Sequence, residues 1–323
     1  MTACKPLSRW DEALSAYLTN RRALGRRYRR EQRILNHVRA FLVSEGRVDL
    51  DRILFDRWRE SFSGLSPNSR IVYERIVYNF CRYRRRREPE CFLPDPDSFA
   101  RRGPSPLPTL IEPEQIEQLL IHLAEVRPKR HERLRPRVLR MAIILLYTTG
   151  LRRGELIRLT LADVDAEQGV LFIRDSKFHK SRWVPVSVSV RAELQQYLAQ
   201  RRQMGIDNRD SAPLLFTWHG RAYTGGGLRA SLRSVLTAAG VCGPDGRRPR
   251  IHDFRHSFAV AALRRWYEND ADVQVNLPKL ALYMGHVSIV STAYYLRWMP
   301  DVIAHASQRF EHAYAGVLQG GES

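Results

Sequence analysis

The chain has 323 residues, and its 53 lysines and arginines outnumber 34 acidic residues, which leaves a formal net charge of +19. This excess predicts a polyanionic partner, most simply nucleic acid, although a basic surface kept for solubility would give the same number. A hydrophobic content of 44% excludes a wholly disordered chain, and the length predicts about two domains.

Cysteine and hydropathy patterns exclude several classes of protein. The four cysteines form no C-x-x-C pair, so we expect neither a zinc site nor a redox motif, and no cofactor. The N-terminus lacks an apolar signal segment, and the longest apolar run is too short to span a bilayer. We therefore expect a cytoplasmic, nucleoid-associated protein without a membrane partner.

The first hundred residues predict a domain of about four helices. Apolar residues recur at three- and four-residue steps from Trp10 to Glu45, then over 53–62 through Ile53, Phe55 and Trp58, and again after Pro67. Arginines cluster between and at the end of these segments, either as a solvated helix face or as a surface that follows DNA phosphates. The DNA-binding candidates are Arg26, Arg27, Arg29, Arg30, Arg84 and Arg85, with Lys180 in the second half of the chain.

Alternating prolines after Gly103 predict an extended linker, because proline forbids a helix there. We therefore predict a helical DNA-binding domain over 1–103, a linker over 104–110 and a second domain over 111–323. A basic domain on each side of a short linker is suited to grip a duplex.

The second domain is predicted to be mainly α with a small antiparallel sheet, an α+β fold. A helix begins after Glu112, and a nearly all-apolar helix over 137–147 is predicted to be buried. The segments 169–174 and 182–186 predict two strands joined by a turn over 175–181 that carries Lys177 and Lys180.

Three motifs in this domain combine arginine, histidine and tyrosine. They are Thr149-Gly150-Leu151-Arg152-Arg153-Gly154-Glu155-Leu156, then His252-Asp253-Phe254-Arg255-His256-Ser257-Phe258-Ala259, and Gly285-His286 followed by Tyr294-Tyr295. Arginine offers a planar pair of donors to two phosphate oxygens, and a tyrosine can attack phosphorus. This combination predicts chemistry on a phosphodiester.

In this order the motifs resemble the tyrosine recombinases of the phage integrase family, which break and rejoin DNA at specific sites. The resemblance implies an integrase-like fold, with a core-binding domain over 1–103 and the catalytic domain over 111–323. It also implies a metal-independent reaction through a covalent 3′-phosphotyrosine. It implies that Arg152 and Arg255 bind the phosphate, that His252 and His286 donate hydrogen bonds or handle protons, and that Tyr295 attacks. It places a lysine that protonates the leaving oxygen at Lys177, with Lys180 as the alternative.

The resemblance also implies the partners: double-stranded DNA, and a homo-tetramer or an assembly with related recombinases. Integration, excision and transposition are the expected uses. Two other functions remain open at this point, a type IB topoisomerase and a DNA-binding accessory homologue without catalysis.

Three points depart from the family pattern or stay open. Thirty-one residues separate Arg255 from His286, a longer interval than in common bacterial members, and it resembles a branch carried on transposons and other mobile elements. Tyr294 competes with Tyr295 as the nucleophile. A predicted helix over 302–314 packs either on its own domain or on a neighbouring protomer.

Overall fold

The chain divides into two compact units, one up to Pro106 and one from Leu107 onward, and each is considered by itself. A computed structural model describes residues 8–26, 28–104, 107–128, 130–174, 181–286, 288 and 290–298. The predicted functional division into a DNA-binding domain, a linker and a catalytic domain stays a prediction. The predicted helix over 302–314 lies outside the described residues.

The first unit is helical. Its helices are α1 (Ser8–Ala23), α2 (Arg29–Ser44), α3 (Arg52–Glu60) and α4 (Pro67–Arg84), and a 3₁₀ turn covers Pro96–Ser98. The pattern over 10–45 divides into two helices because Gly25 and Tyr28 both have positive φ, 76° and 47°. A carboxylate oxygen of Asp51 caps α3 by accepting the N–H of Leu54 at 2.8 Å.

The core of the first unit is rich in aromatic side chains. Trp10, Trp58 and Phe80 are fully buried, and the rings of Trp10 and Phe80 meet edge to face at 5.0 Å. The prediction that Ile53 packs in this core was wrong, because its side chain is 72% exposed. Helix α3 packs through Leu54, Phe55 and Trp58, and Ile53 precedes that face by about 100° of helical rotation.

Arg84 is also part of this core, so its assignment to the DNA-binding surface was wrong. The residue is 2% exposed, and its guanidinium donates to both carboxylate oxygens of Asp49, at 2.6 and 2.7 Å, and to Glu88 at 2.7 Å. The guanidinium also lies over the Trp10 ring at 5.5 Å. The two carboxylates raise the pKa of Arg84 against the opposing effect of burial. A run of arginines cannot reveal from its composition which member faces inward.

The second unit is mainly helical with a small sheet, as predicted. Its helices are α5 (Pro113–Glu125), α6 (Arg135–Thr149), α7 (Arg153–Leu156), α8 (Val188–Gln203), α9 (Gly225–Ala238), α10 (Ile251–Glu268), α11 (Val273–Met284) and α12 (Val290–Ala293), with 3₁₀ turns at Arg130–Glu132, Leu161–Asp163 and Tyr294–Trp298. The sheet contains β1 (Val164–Asp165), β2 (Val170–Ile173) and β3 (Arg182–Pro185).

The three strands lie in the order β1-β2-β3, and both pairs are antiparallel. Phe172 stands opposite Trp183 on the outer face, while Leu171 and Val184 are buried against the helices. The sequence did not indicate β1, because a strand of two residues has no periodicity to detect.

Helix α6 lies at the centre of the second unit and packs against α5, α8 and α10. Its side chains are buried on nearly every face, as the nearly all-apolar sequence predicts. Helix α10 begins at Ile251, where the Asp253 carboxylate accepts the N–H of Arg250 at 2.7 Å. No helix among the described residues is long and apolar enough to cross a membrane.

Candidate active site

Arg152 stands where α6 gives way to α7. Gly150 ends α6 in the left-handed region with φ of 59°, and Arg152 is the first residue before α7. The Glu155 carboxylate accepts the Arg152 backbone N–H at 3.0 Å and its Nη1 at 2.8 Å, so Glu155 supports Arg152. Nη2 of Arg152 donates to the Gly285 carbonyl at 2.8 Å, and 25% of the side chain remains exposed.

Arg255 enters the same place from α10. It is 1% exposed, and it donates from Nη1 to the Gly150 carbonyl at 2.5 Å and from Nη2 to the Met284 carbonyl at 2.8 Å. Nη1 of Arg152 also lies 3.4 Å from the Met284 carbonyl. The last carbonyls of α11, which have no partner within the helix, therefore hold both guanidiniums.

Two cations held this close repel each other. Burial is the largest cause and the charge of Arg152 the next, and the pKa of Arg255 is lowered to about 10 as the net result. Arg255 is still charged near neutral pH, so the pair concentrates positive charge with a fixed orientation. A tetrahedral anion with two outward oxygens suits such a pair.

The two predicted histidines flank the arginines. His252 lies one turn before Arg255 on α10 and keeps an exposed edge, and partial desolvation of its ring followed by the charge of Arg255 lowers its pKa. Nδ1 of His286 lies 2.7 Å from the Thr292 hydroxyl, and burial, followed by Arg255 and Arg152, lowers its pKa to about 3. Where Thr292 donates to Nδ1, the Nε2–H of His286 can donate to a phosphate oxygen.

The structure places Tyr295 inside this group and Tyr294 at the surface. Tyr295 is 3% exposed, and its ring centroid lies 6.1 Å from that of His286, whereas Tyr294 is 40% exposed. Burial raises the pKa of the Tyr295 hydroxyl, and the charge and a hydrogen bond of Arg255 oppose that rise. The hydroxyl is therefore protonated near neutral pH.

Five of the predicted residues thus come together within the described part of the chain. Arg152, His252, Arg255, His286 and Tyr295 form one site. Arg26, Arg29, Arg30 and Arg85 are exposed in the first unit. Lys177, Lys180 and Arg27 lie outside the described residues.

Two further residues in the site were missed from the sequence. Arg182, on β3, donates to Glu155 and to the end of α11. Its signal in the sequence is an arginine that opens the second predicted strand, in the string Arg182-Trp183-Val184-Pro185. His256 lies between two site residues, with ring centroids 4.7 Å from His252 and 5.3 Å from Tyr295. Its Nδ1 is buried without a partner among the described residues, and burial followed by His252 lowers its pKa to about 4.

Across the described ranges, no three His, Cys, Asp or Glu side chains are grouped so that they could hold a metal ion. The charged groups that face the site are instead guanidiniums. With the fold, this arrangement is of the class that can hold a phosphate beside a tyrosine.

Comparison with known proteins agrees with that class. The sequence profile of the phage integrase family matches residues 109–300, more than half of the chain. The chain is 35% identical over 315 residues to the integrase/recombinase y4rB of Sinorhizobium fredii, which covers 95% of this chain and 99% of that protein. It is 29% identical over 210 residues to the tyrosine recombinase XerA of Pyrococcus furiosus, with 64% and 63% covered.

The fold is similar to that of solved recombinases as well. A lambda integrase tetramer bound to a Holliday junction superposes with a TM-score of 0.59 at 15% identity, over 90% of this chain and 76% of that one. The chain therefore belongs to the phage integrase family of site-specific tyrosine recombinases.

Proposed function

We propose that this chain is a site-specific recombinase that cuts and rejoins DNA through a bond between Tyr295 and a 3′ phosphate. The observation that carries the proposal is the convergence of Arg152 and Arg255 on one carbonyl, that of Met284, beside a buried tyrosine. Family membership supports a DNA strand-exchange enzyme, and this geometry supports the phosphotyrosine route.

In the proposed reaction the Tyr295 oxygen bonds to phosphorus while the bond from phosphorus to the 5′ oxygen breaks. The tyrosine loses its proton, and the departing 5′ oxygen gains one. His252 and His286 are neutral near pH 7, so each can accept a proton or donate one N–H. The proton for the 5′ oxygen is assigned to Lys177, or to Lys180, by the resemblance alone.

The two arginines offset the charge that develops on the non-bridging oxygens, which is the role that a divalent cation would otherwise take. Metal independence follows as part of the proposal. Because the phosphotyrosine conserves the energy of the broken bond, attack by a 5′ hydroxyl reseals the strand without a cofactor.

DNA and further copies of the chain are the proposed partners. Four copies on two DNA sites would bring four Tyr295 residues to a junction, and the fold shared with a lambda integrase tetramer on a Holliday junction supports this arrangement. The exposed arginines of the first unit would contact phosphates. A branch carried on mobile elements, with integration, excision or transposition as its role, stays a prediction.

The two alternatives are less well supported. A non-catalytic accessory protein has no need for a buried tyrosine beside two converging guanidiniums. A type IB topoisomerase would share the chemistry, but it would relax supercoiled plasmid as a single chain.

The test is a covalent-adduct assay. A duplex that the protein binds is first selected from randomised DNA. One strand of this duplex is then nicked close to the cleavage position, so that the short fragment diffuses away after cleavage. We expect a labelled protein–DNA adduct on a denaturing gel, in EDTA, that maps to Tyr295. Supercoiled plasmid relaxed by single chains, without strand exchange between two sites, would favour the topoisomerase.

Tyr294 and Tyr295 provide a matched pair of variants. Tyr295→Phe removes one hydroxyl and should bind the duplex but form no adduct, whereas Tyr294→Phe should retain most of the activity. An adduct at Tyr294 would identify Tyr294, and not Tyr295, as the nucleophile. An adduct that required magnesium would contradict the arginine-based mechanism, and none at all on a bound duplex would favour the accessory protein.

A further inference from the structure

Arg182 links the sheet to the two elements that hold Arg152. From β3 it donates Nη2 to Glu155 Oε2 at 3.0 Å and Nη1 to Glu155 Oε1 at 3.3 Å. Its Nε donates to the Tyr283 carbonyl of α11 at 2.8 Å. The side chain is 10% exposed, and each of its three nitrogens donates to Glu155 or to the Tyr283 carbonyl.

Glu155 lies between two arginines and is 3% exposed. Because it accepts the backbone N–H and Nη1 of Arg152, the position of this carboxylate determines where the Arg152 guanidinium stands. Arg182 binds the same two carboxylate oxygens in a forked geometry, which fixes the plane of the carboxylate.

The end of α11 is fitted to the same side chain. A Cβ on Gly285 would lie 2.7 Å from Nη1 of Arg182, so the absence of a side chain there lets the guanidinium approach. The Gly285 carbonyl in turn accepts Nη2 of Arg152 at 2.8 Å. Arg182 therefore contacts both supports of Arg152, the Glu155 carboxylate and the C-terminal turn of α11.

We propose that Arg182 is a positioning residue of the phosphate site: it holds Glu155 and the end of α11 so that Arg152 meets the scissile phosphate in the reactive orientation. The proposal rests on the recombinase function above. Arg182 itself touches neither DNA nor Tyr295 in this role.

Arg182→Lys tests the role, because lysine keeps the charge but has no fork to fix the carboxylate. We expect the rate of adduct formation to fall on the order of 10- to 100-fold, since small displacements of a catalytic group cost this much, while the Kd for the selected duplex stays unchanged. Arg140→Lys is the matched control, because Arg140 makes a forked pair with Glu193 between α6 and α8, away from the site.

A substrate without the phosphate charge separates positioning from simple loss of structure. In a methylphosphonate at the scissile position, one charged oxygen is replaced by a methyl group, so a guanidinium has less charge to stabilise. On this duplex we expect Arg182→Lys and Arg152→Lys to cleave within about threefold of wild type, because both act through that charge. A general structural defect would instead slow cleavage of the ordinary duplex and of the methylphosphonate duplex equally.

Gly285→Ala provides a second variant that displaces Arg182 without removing it, and it should show the same dependence on substrate charge. If these variants lost cleavage rate equally on both duplexes, or lost none on either duplex, the positioning role would be overturned. If the wild-type chain cleaved neither duplex, the recombinase proposal itself would be overturned, and this role of Arg182 with it.

Discussion

At the residue scale, the chemistry depends on how Arg152 and Arg255 can stay close while both are charged. The helix end of α11 provides the answer, because its carbonyl dipoles offer negative partial charge to both guanidiniums. Glu155 is shared with Arg182 and adds one full negative charge. The result is a net positive site whose donors are already oriented before DNA binds.

Arg152→Lys should slow adduct formation on the order of 10²–10³-fold, by analogy with the loss of one donor from an oxyanion hole. Lysine preserves the charge but lacks the planar fork of donors that binds Glu155 and Gly285 and still offers N–H groups to a phosphate in a fixed orientation. Binding of the selected duplex should change little, because many other cations remain. Cleavage rates and Kd are measured on the same nicked duplex, and a wild-type rate would place the phosphate site elsewhere.

The lowered histidine pKa values should make the fold less stable in acid. In the folded chain His286 has a pKa of about 3 and His256 of about 4, whereas in an unfolded chain a histidine titrates near its ordinary value of about 6.5. The unfolded state therefore binds more protons from about pH 6.5 down to these values, so stability is complete above about 6.5 and falls as pH decreases through that window. Urea midpoints at pH 7.5 and 5 measure this effect.

His286→Gln should flatten the dependence of the urea midpoint on pH, because one group that resists protonation in the fold is gone. A midpoint that rose in acid for the wild-type chain would contradict the sign of this argument.

At the scale of elements, two helix ends form the walls of the site. Gly150 ends α6 and Gly285 ends α11, both in the left-handed region, and the carbonyl of each accepts an arginine donor. Glycine permits this backbone at no steric cost, so the same residue that ends a helix also aims a carbonyl at a guanidinium.

Gly150→Ala should destabilise the fold by about 2–4 kcal/mol. The left-handed backbone costs alanine about 1–2 kcal/mol, and the new Cβ would lie 2.5 Å from the Phe258 ring, which adds overpacking. Gly240→Ala is the matched control, because Gly240 has φ of 68° at the end of α9 and open space around its Cβ. This variant should lose only the stability that the left-handed backbone costs alanine. Equal losses in urea titrations would show that contact with Phe258 has no effect.

The start of α2 should contribute to the salt dependence of DNA binding. Arg26 before α2 and Arg29 and Arg30 in its first turn are exposed, and each phosphate contact adds about 0.9 to the slope of log K against log salt. The triple alanine variant should therefore lower the slope by up to about 3. Arg47→Ala with Arg57→Ala is the control, because these exposed arginines already pair with Asp51 and Glu45. An unchanged slope for the triple variant would remove this surface from the interface.

At the scale of the whole molecule, a net charge of +19 acts against self-association in the absence of DNA. DNA phosphates would neutralise that charge, so we expect the chain to assemble on DNA and not before. Light scattering of the free chain, and of the chain with a Holliday junction that carries the selected sites, should give one copy and four copies respectively. Two copies on the junction at saturation would contradict the tetramer.

The sequence by itself determined the class of protein and most of the site. Arg152, His252, Arg255, His286 and Tyr295 lie in short strings whose letter order is specific, and the structure brings them together. The helix over 137–147 was equally predictable, because burial on nearly every face leaves a nearly continuous apolar run. In these cases the residue types within one short segment were enough to predict the structure or the site.

Only the tertiary structure shows which arginines lie in the candidate site and which hold other side chains in place. Arg84 belongs to a cluster that appears uniform in sequence, yet Asp49, thirty-five residues away, draws it inward. Arg182 meets Tyr283 across about a hundred residues, and the Met284 carbonyl joins Arg152 to Arg255 across 132 and 29 residues. A backbone carbonyl has no side-chain identity, so no sequence pattern marks the atom on which the two arginines converge.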